Sequence, residues 1–217
     1  MKKILICAAL SLVALSTTSC DKVKDVVNTA KDATAGPAEI DYQFLSKPEE
    51  VKKWYDQIVE KTGANAKVMD EVVFTVYRPA LEGMIKRENE KDHLMLNIVY
   101  QDDVDKRRVK QIDYHGNVNG WNPAETKEIQ VMGAGSEDFK LEDELFDFGQ
   151  ITLENINKVA ADAMAKYKDE AKYEYQYIHR LEITKQGIEA TIKGKLKSNA
   201  QEKSEIYRAD LKGNPKN

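Results

Sequence analysis

The sequence is poor in the residue types that reactive sites most often use. It has only two cysteines and three histidines in 217 residues. No two of the histidines (His93, His115 and His179) stand at the H-x-x-x-H or H-x-H spacing of a local metal site. No serine lies in a G-x-S-x-G nucleophile elbow. The sequence therefore predicts no catalytic residue, no metal ligand and no cofactor, and leaves open an enzyme whose site is assembled only in space.

Glycine and proline are also scarce. Eleven glycines and five prolines are too few for a disordered polymer, so the chain is expected to fold. The apolar run at residues 4–15 is shorter than the roughly 20 residues that a membrane-spanning helix needs. Loss of Lys2 and Lys3 by cleavage at residue 19 would leave 31 basic against 37 acidic residues, a net charge of −6. That acidic excess argues against a nucleic-acid partner.

The first twenty residues have the parts of an export signal. Lys2 and Lys3 precede the apolar run, and the small polar residues 16–19 lead into Cys20. This order resembles the bacterial lipoprotein signal, although Thr17 stands where that family usually has leucine. The resemblance implies that residues 1–19 are removed and that Cys20 carries the lipid, such as palmitate. The alternative is an ordinary signal peptide whose cleavage falls beside a cysteine.

Cysteine usage supports the lipid anchor. Cys7 lies inside the signal, so Cys20 is the only cysteine of the mature chain and no disulfide framework is available. The predicted location is the bacterial cell envelope, lipid-anchored and either periplasmic or surface-exposed. Residues 20–38 are expected to form the tether, and Asp21 does not determine which membrane or leaflet is used.

Two segments predict amphipathic helices at an offset of 105 residues. The first is expected to start at a capping box formed by Ser46 and Glu49 and to end at Gly63. The second is expected to start at Thr152. Their apolar stripes coincide when the offset is applied, pairing Val51 with Ile156, Trp54 with Val159 and Ile58 with Ala163.

Three strand-like runs follow each helix. They lie at residues 72–77, 93–101 and 107–115 in the first half and at 173–183, 188–196 and 205–211 in the second. Residues 113–117 and 210–214 both read Asp-x-x-Gly-Asn. We therefore predict an α+β fold of two tandem α-β-β-β repeats, residues 39–118 and 145–217, joined by residues 119–144. The alternative is chance coincidence of common motifs.

The second segment also resembles a known family. Residues 151–154 open an alanine-rich helix that precedes three strands and a closing Asp-x-x-Gly. This arrangement resembles a PepSY-like unit, and its tandem is similar to β-lactamase-inhibitor-like lipoproteins. The resemblance covers residues 40–117 and 145–214 and leaves 118–144 unmatched. It implies a secreted or envelope binding module, often an inhibitor or protein-interaction domain, and it carries over no catalytic residue.

Several local features have plain structural explanations. The glycines at 133 and 135 are followed by acidic residues, which disfavours a phosphate loop. Asp102, Asp103 and Asp105 lack calcium-loop spacing and are predicted to form a hairpin tip. Each histidine is predicted to be a surface or edge residue of a strand, and residues 127–132 are predicted to form a further strand. Tyr173, Tyr175 and Tyr177 alternate with the phase of His179, Leu181 and Ile183, so that face is predicted to pack on a helix.

The favoured function is a noncatalytic module that binds a protein or peptide. Leu81 and Met84, in the excursion at residues 78–92, and Trp121, in the loop after the first repeat, are predicted to contact the partner. A structural or assembly role in an envelope complex is the alternative outside enzymes. The sequence makes no prediction of the oligomeric state.

Overall fold

The chain folds into helices packed on one face of an antiparallel sheet. A computed structural model describes residues 40–82, 91–116, 120–131 and 138–216. Within these ranges the sheet has nine strands, and the fold class is α+β as predicted. The predicted signal, Cys20 and the tether lie outside the described residues, as do Met84 and the glycines at 133 and 135. No helix in the described ranges is long and apolar enough to cross a membrane.

Each half of the chain has one long helix followed by a series of strands. In order they are a 3₁₀ turn Phe44–Ser46, α1 Pro48–Thr62, β1 Lys67–Tyr77, β2 His93–Gln101, β3 Val109–His115, β4 Gly120–Trp121, β5 Glu125–Lys127, α2 Leu141–Glu144, β6 Leu145–Asp147, a 3₁₀ turn Phe148–Gln150, α3 Leu153–Tyr167, β7 Tyr173–Thr184, β8 Gly187–Leu196 and β9 Glu202–Ala209. The sheet order is β4-β3-β2-β1-β7-β8-β9, with β5 paired to β3 and β6 paired to β1. Every pairing is antiparallel.

The two long helices each have 15 residues and begin and end close to where the sequence predicts. Thr152 caps α3 as expected, because its side-chain oxygen accepts from the Asn155 N–H at 3.2 Å. The predicted capping box at α1 is wrong. Ser46 ends the preceding 3₁₀ turn, the N-cap is Lys47, and no side chain bonds to the cap. Gly63 ends α1 with φ of +91°, a value that favours glycine.

The main core lies between the helices and one face of the sheet. Alternate residues of β2 face it as predicted, and Leu94, Leu96, Ile98 and Tyr100 are all buried. At the centre of the sheet Phe74 of β1 lies opposite Leu181 of β7, so one continuous layer joins the two halves of the chain. The helix side of that layer is filled by the predicted stripes, Val51, Trp54, Ile58, Ile156, Val159 and Ala163.

Two strand predictions and the comparison of the two Asp-x-x-Gly-Asn motifs need correction. The strand expected at residues 127–132 is wrong, because β5 ends at Lys127 and residues 128–131 have no regular structure. The last strand is Glu202–Ala209 rather than 205–211. The two Asp-x-x-Gly-Asn motifs are not equivalent in space. Asp113 lies inside β3 opposite Asn97, whereas Asp210 follows β9 and accepts from the N–H of Lys212 and of Asn214.

Candidate functional site

A partly buried group of polar and aromatic side chains lies where the two central strands separate. β1 and β7 pair only through residues 71–75 and 180–184. Beyond Thr75 and Arg180 the strands diverge, and the segment before α1 fills the gap, with the Gln43 amide donating to the Gln176 carbonyl at 3.0 Å. Eight side chains meet at this place, and we call them the Arg78 cluster: Tyr42, Arg78, Glu82, Asp92, Tyr175, Tyr177, His179 and Lys193.

A β-bulge brings β7 into the cluster. The pairing of β7 with β8 shifts between Ile178 and Arg180, which leaves His179 as an extra residue. As a result Ile178 and Leu181 share the helix-facing side, and Tyr177 lies opposite Lys193 on the other side. The prediction that Tyr175 and Tyr177 share a face with Leu181 is therefore wrong, because the alternation is interrupted. The predicted burial does hold for Tyr173 and Tyr177.

Arg78 is the cation at the centre of three aromatic rings. Its guanidinium carbon lies 4.0 Å from the ring centre of Tyr42, 5.1 Å from that of Tyr175 and 5.2 Å from that of Tyr177. Its Nε donates to Asp92 Oδ2 at 3.0 Å. The Nη1 atom is buried without a hydrogen-bond partner among the described residues. Arg78 thus joins the segment before α1, the end of β1 and the start of β7.

Glu82 is the anion that ties the turn after β1 to the second half of the sheet. Its Oε1 accepts from the Tyr177 hydroxyl at 3.1 Å and lies 3.4 Å from Lys193 Nζ. His179 Nδ1 lies 3.5 Å from the same oxygen and 2.9 Å from the Val76 carbonyl oxygen. Because a carbonyl oxygen only accepts, Nδ1 carries the proton. The His179 side chain thus donates to the backbone of β1 just beyond the point where the pairing of β1 with β7 ends.

Burial shifts the titration of the cluster away from neutrality. It lowers the pKa of His179 to about 4, assisted by the nearby Lys193 charge. Burial also raises the pKa of the Tyr177 phenol, with Glu82 adding to the effect, and raises the pKa of Tyr175 to about 12. At neutral pH the imidazole is therefore uncharged and both phenols keep their protons. None of these three side chains changes its charge near pH 7.

A second charged group lies on the same face of the sheet. Arg180 bridges Glu71 at 3.1 Å and Glu182 at 2.8 Å. Burial and the hydrogen bond to Glu182 raise the pKa of Glu71. This group spans the central pair of strands, β1 and β7, where the two halves of the sheet meet.

The predicted partner-binding residues lie in different surroundings. Leu81 is half-buried in the turn after β1, where its N–H donates to the Arg78 carbonyl at 2.9 Å. Trp121 is half-buried against Tyr114, and its indole N–H donates to Gln57 Oε1 at 3.0 Å. Trp121 therefore packs on α1 and β3, and Leu81 directly precedes the anchored Glu82.

The histidine and aspartate predictions have mixed outcomes. His93 is wrong as a surface residue, since only 4% of it is exposed and its ring packs on Tyr77. Asp102 and Asp105 lie in the β2–β3 connection as predicted. Asp102 pairs with Lys110 at 3.1 Å, and hydrogen bonds from Arg107 lower the pKa of Asp105 to about 2. Among the described residues no group of three or more potential metal ligands comes together.

Sequence reasoning missed most of the Arg78 cluster. Its members come from the segment before α1, the turn after β1, the residue before β2, β7 and β8, and no sequence spacing links these places. A cleft of about 440 Å³ near Lys67, Phe146 and Lys185 was missed for the same reason. The only sequence signal for the cluster was the run of tyrosines in β7. The β-bulge places Tyr175 and Tyr177 on the face opposite to the one that strict alternation predicts.

No protein-family model, curated protein or solved structure matches this chain. The function must therefore be argued from the chain's own chemistry.

The pH dependence of stability tests the buried His179. A histidine with a pKa of about 4 in the folded state and about 6.5 unfolded stabilises the fold fully above pH 6.5, and this contribution is lost as the pH falls from 6.5 to 4. We expect a loss of about 2–3 kcal/mol over that range. Urea unfolding at several pH values measures it.

The His179→Asn variant should lose this dependence between pH 6.5 and 4, because an amide donor replaces the imidazole without titrating. The His115→Asn variant, at the end of β3, should keep it. Equal slopes in His179→Asn and the unsubstituted chain would mean that other groups cause the dependence.

Proposed function

We propose that the mature chain is an envelope lipoprotein, attached to a membrane through Cys20, whose folded part is a noncatalytic module that binds a protein or peptide. The observation that carries the proposal is the apolar run and small polar residues that end at Cys20, the only cysteine outside the signal. A chain with one cysteine at that place, and no partner for a disulfide, fits lipidation.

The chemistry of the Arg78 cluster supports a noncatalytic role. Its charged groups are engaged with one another, Arg78 with Asp92 and Lys193 with Glu82. Its phenols and imidazole titrate far from neutral pH. Such a network suits the positioning of a surface turn better than proton transfer.

The proposed partner surface includes Leu81, Met84 and Trp121. Leu81 lies beside the anchored Glu82, so its place on the surface is set by contacts to β7 and β8. A half-buried apolar side chain on a firmly held turn loses little entropy on binding, which favours its use as an anchor. Met84 lies outside the described residues.

We also propose that the two halves are tandem repeats of one α-β-β-β unit. The two 15-residue helices begin exactly 105 positions apart, at Pro48 and Leu153. The strand order places β1, β2 and β3 on one side of the centre and β7, β8 and β9 on the other, each in outward order. Relatives of this chain are expected to show identity between their own halves at these offsets, and relatives without it would count against the duplication.

Labelled palmitate tests the anchor. Cells that express the unsubstituted chain are expected to incorporate label into it, and the Cys20→Ala variant is expected to incorporate none, because the thiol is the acceptor. The variant should also leave the membrane fraction. Label retained by Cys20→Ala would contradict the proposed attachment.

Partner capture tests the role of Leu81. The Leu81→Ser variant is expected to lose at least about tenfold in capture of crosslinked partner, since a buried apolar anchor contributes about 2 kcal/mol or more. The matched control is Val104→Ser, which removes an apolar side chain that is 91% exposed in the β2–β3 connection. Capture by the control should be unchanged. Equal loss in both variants, or none in Leu81→Ser, would remove Leu81 from the partner surface.

A further inference from the structure

The sheet has two distinct ends, and the tether joins the fold at one of them. The Ile40 N–H donates to the Asp92 carbonyl at 3.1 Å. The Asp92 carboxylate accepts from Arg78 Nε, and the Arg78 carbonyl accepts from the Leu81 N–H. The first described residue and the Leu81 turn therefore lie together, and we call this the tether end. The β2–β3 connection at residues 102–108 and the β7–β8 turn lie at the opposite end, which we call the hairpin end.

We propose that the domain faces the membrane with its tether end, so that a partner bound at Leu81 is itself attached to the same membrane. The proposal rests on the lipid anchor of the proposed function. Its structural basis is the chain of contacts from Ile40 through Asp92 and Arg78 to Leu81, which places the proposed partner surface next to the point where the anchored segment enters the fold.

The lengths involved favour this orientation. The nine residues of β2 separate the two ends by about 30 Å at about 3.3 Å per residue. The 19 residues from 20 to 38 reach at most about 65 Å when fully extended and about 28 Å as a helix. Bringing the hairpin end to the membrane requires the tether to run about 30 Å back along the domain, which uses close to half of its full extension and slightly exceeds its length as a helix. The tether end meets no such restriction.

The charge distribution favours the same orientation. Residues 138–147 lead into β6, which pairs with the first residues of β1 at the hairpin end. They contain five acidic residues and one basic residue, and Glu142, Asp143 and Glu144 are exposed. An anionic lipid surface repels such a segment within about a Debye length. The basic residues 106–108 of the β2–β3 connection are matched in number by Asp102, Asp103 and Asp105, so the acidic segment is what an anionic membrane repels at the hairpin end.

Energy transfer from two labelled sites to the membrane tests the orientation. Because the only mature cysteine is expected to be lipidated, a cysteine introduced at Ser46 or at Val104 takes the donor dye alone. Both positions are exposed, Ser46 at the tether end and Val104 at the hairpin end. The lipidated full chain is placed in phosphatidylethanolamine–phosphatidylglycerol vesicles that carry a headgroup acceptor dye. Transfer from Ser46→Cys should exceed transfer from Val104→Cys at least about twofold, given the separation of about 30 Å.

The outcomes separate the orientation from the anchor. Equal transfer from both sites, or greater transfer from Val104→Cys, overturns the orientation while co-sedimentation with the vesicles upholds the anchor. If the unsubstituted lipidated chain does not co-sediment with vesicles, the anchor fails and the orientation with it.

Crosslinking in cells tests the partner class. A photo-crosslinker at position 81 is expected to give a product with a membrane-attached protein, and one at position 104 is not. A product from position 81 that contains only a soluble protein overturns the inference about the partner.

Discussion

Replacing Arg78 by methionine is expected to lower the free energy of unfolding by about 2–4 kcal/mol. Arg78 and Asp92 are each about four-fifths buried, with side-chain exposures of 16% and 21%. Methionine replaces the unbranched part of the arginine side chain but leaves the Asp92 carboxylate without its cation. It also removes the cation from the faces of Tyr42, Tyr175 and Tyr177. Urea unfolding at neutral pH, followed by tryptophan fluorescence, measures the loss.

The chain offers a close control for this substitution. Arg107 forms an ion pair with Asp105 at the same distance, 3.0 Å, but its side chain is 89% exposed. Solvent screens an exposed pair, so Arg107→Met should leave the urea midpoint nearly unchanged. A double-mutant cycle with Asp92→Asn then separates the ion pair from the aromatic contacts. If Arg78→Met and Arg107→Met behaved alike, the Arg78 cluster would not join the halves of the fold.

Replacing Phe74 by alanine is expected to cost about 3–5 kcal/mol, the largest loss of any change considered. Phe74 is fully buried in β1, the strand at the centre of the sheet, and lies between Leu96 of β2 and Leu181 of β7. Removing the ring leaves a cavity that three strands held in register cannot close by small shifts. The same unfolding measurement applies.

The neighbouring residue is the control for Phe74. Thr75 lies on the opposite face of β1, is only partly buried and pairs with Met95 and Arg180. Thr75→Ala is expected to cost less than about 1 kcal/mol, because Thr75 is only partly buried and its truncation removes far fewer packed atoms than the loss of a buried ring. Comparable losses at positions 74 and 75 would mean that both faces of β1 are packed in solution.

The helices were predictable because their signals are local. Apolar residues at helical spacing and the closing Gly63 predict most of α1, and the apolar stripe that begins at Ile156 predicts most of α3. The predicted capping box is wrong because the capping preference of Ser46 competes with the formation of a 3₁₀ turn at the same residue. Ser46 enters a 3₁₀ turn with the buried Phe44 and Leu45, so burial of these side chains shifts the helix start to Pro48.

The face of β7 was not predictable because a β-bulge has no reliable sequence signal. A single extra residue, His179, turns Tyr177 and Tyr175 to the face opposite Leu181. Strict alternation along the strand gives the reverse assignment. The partners of these tyrosines were equally hidden, because Tyr42, Arg78 and Glu82 are distant in sequence and belong to other elements.

The amino-acid sequence alone predicts the export signal with Cys20, and it determines the two amphipathic helices and most of the strands. Each of these depends on charge, apolar length or periodicity within a short segment. Only the tertiary structure decides that β1 pairs with β7, that the bulge at His179 turns Tyr175 and Tyr177 to the face opposite Leu181, and that Arg78 and Glu82 connect the two halves. These features depend on contacts between residues about 100 positions apart, and no short-range pattern encodes such contacts.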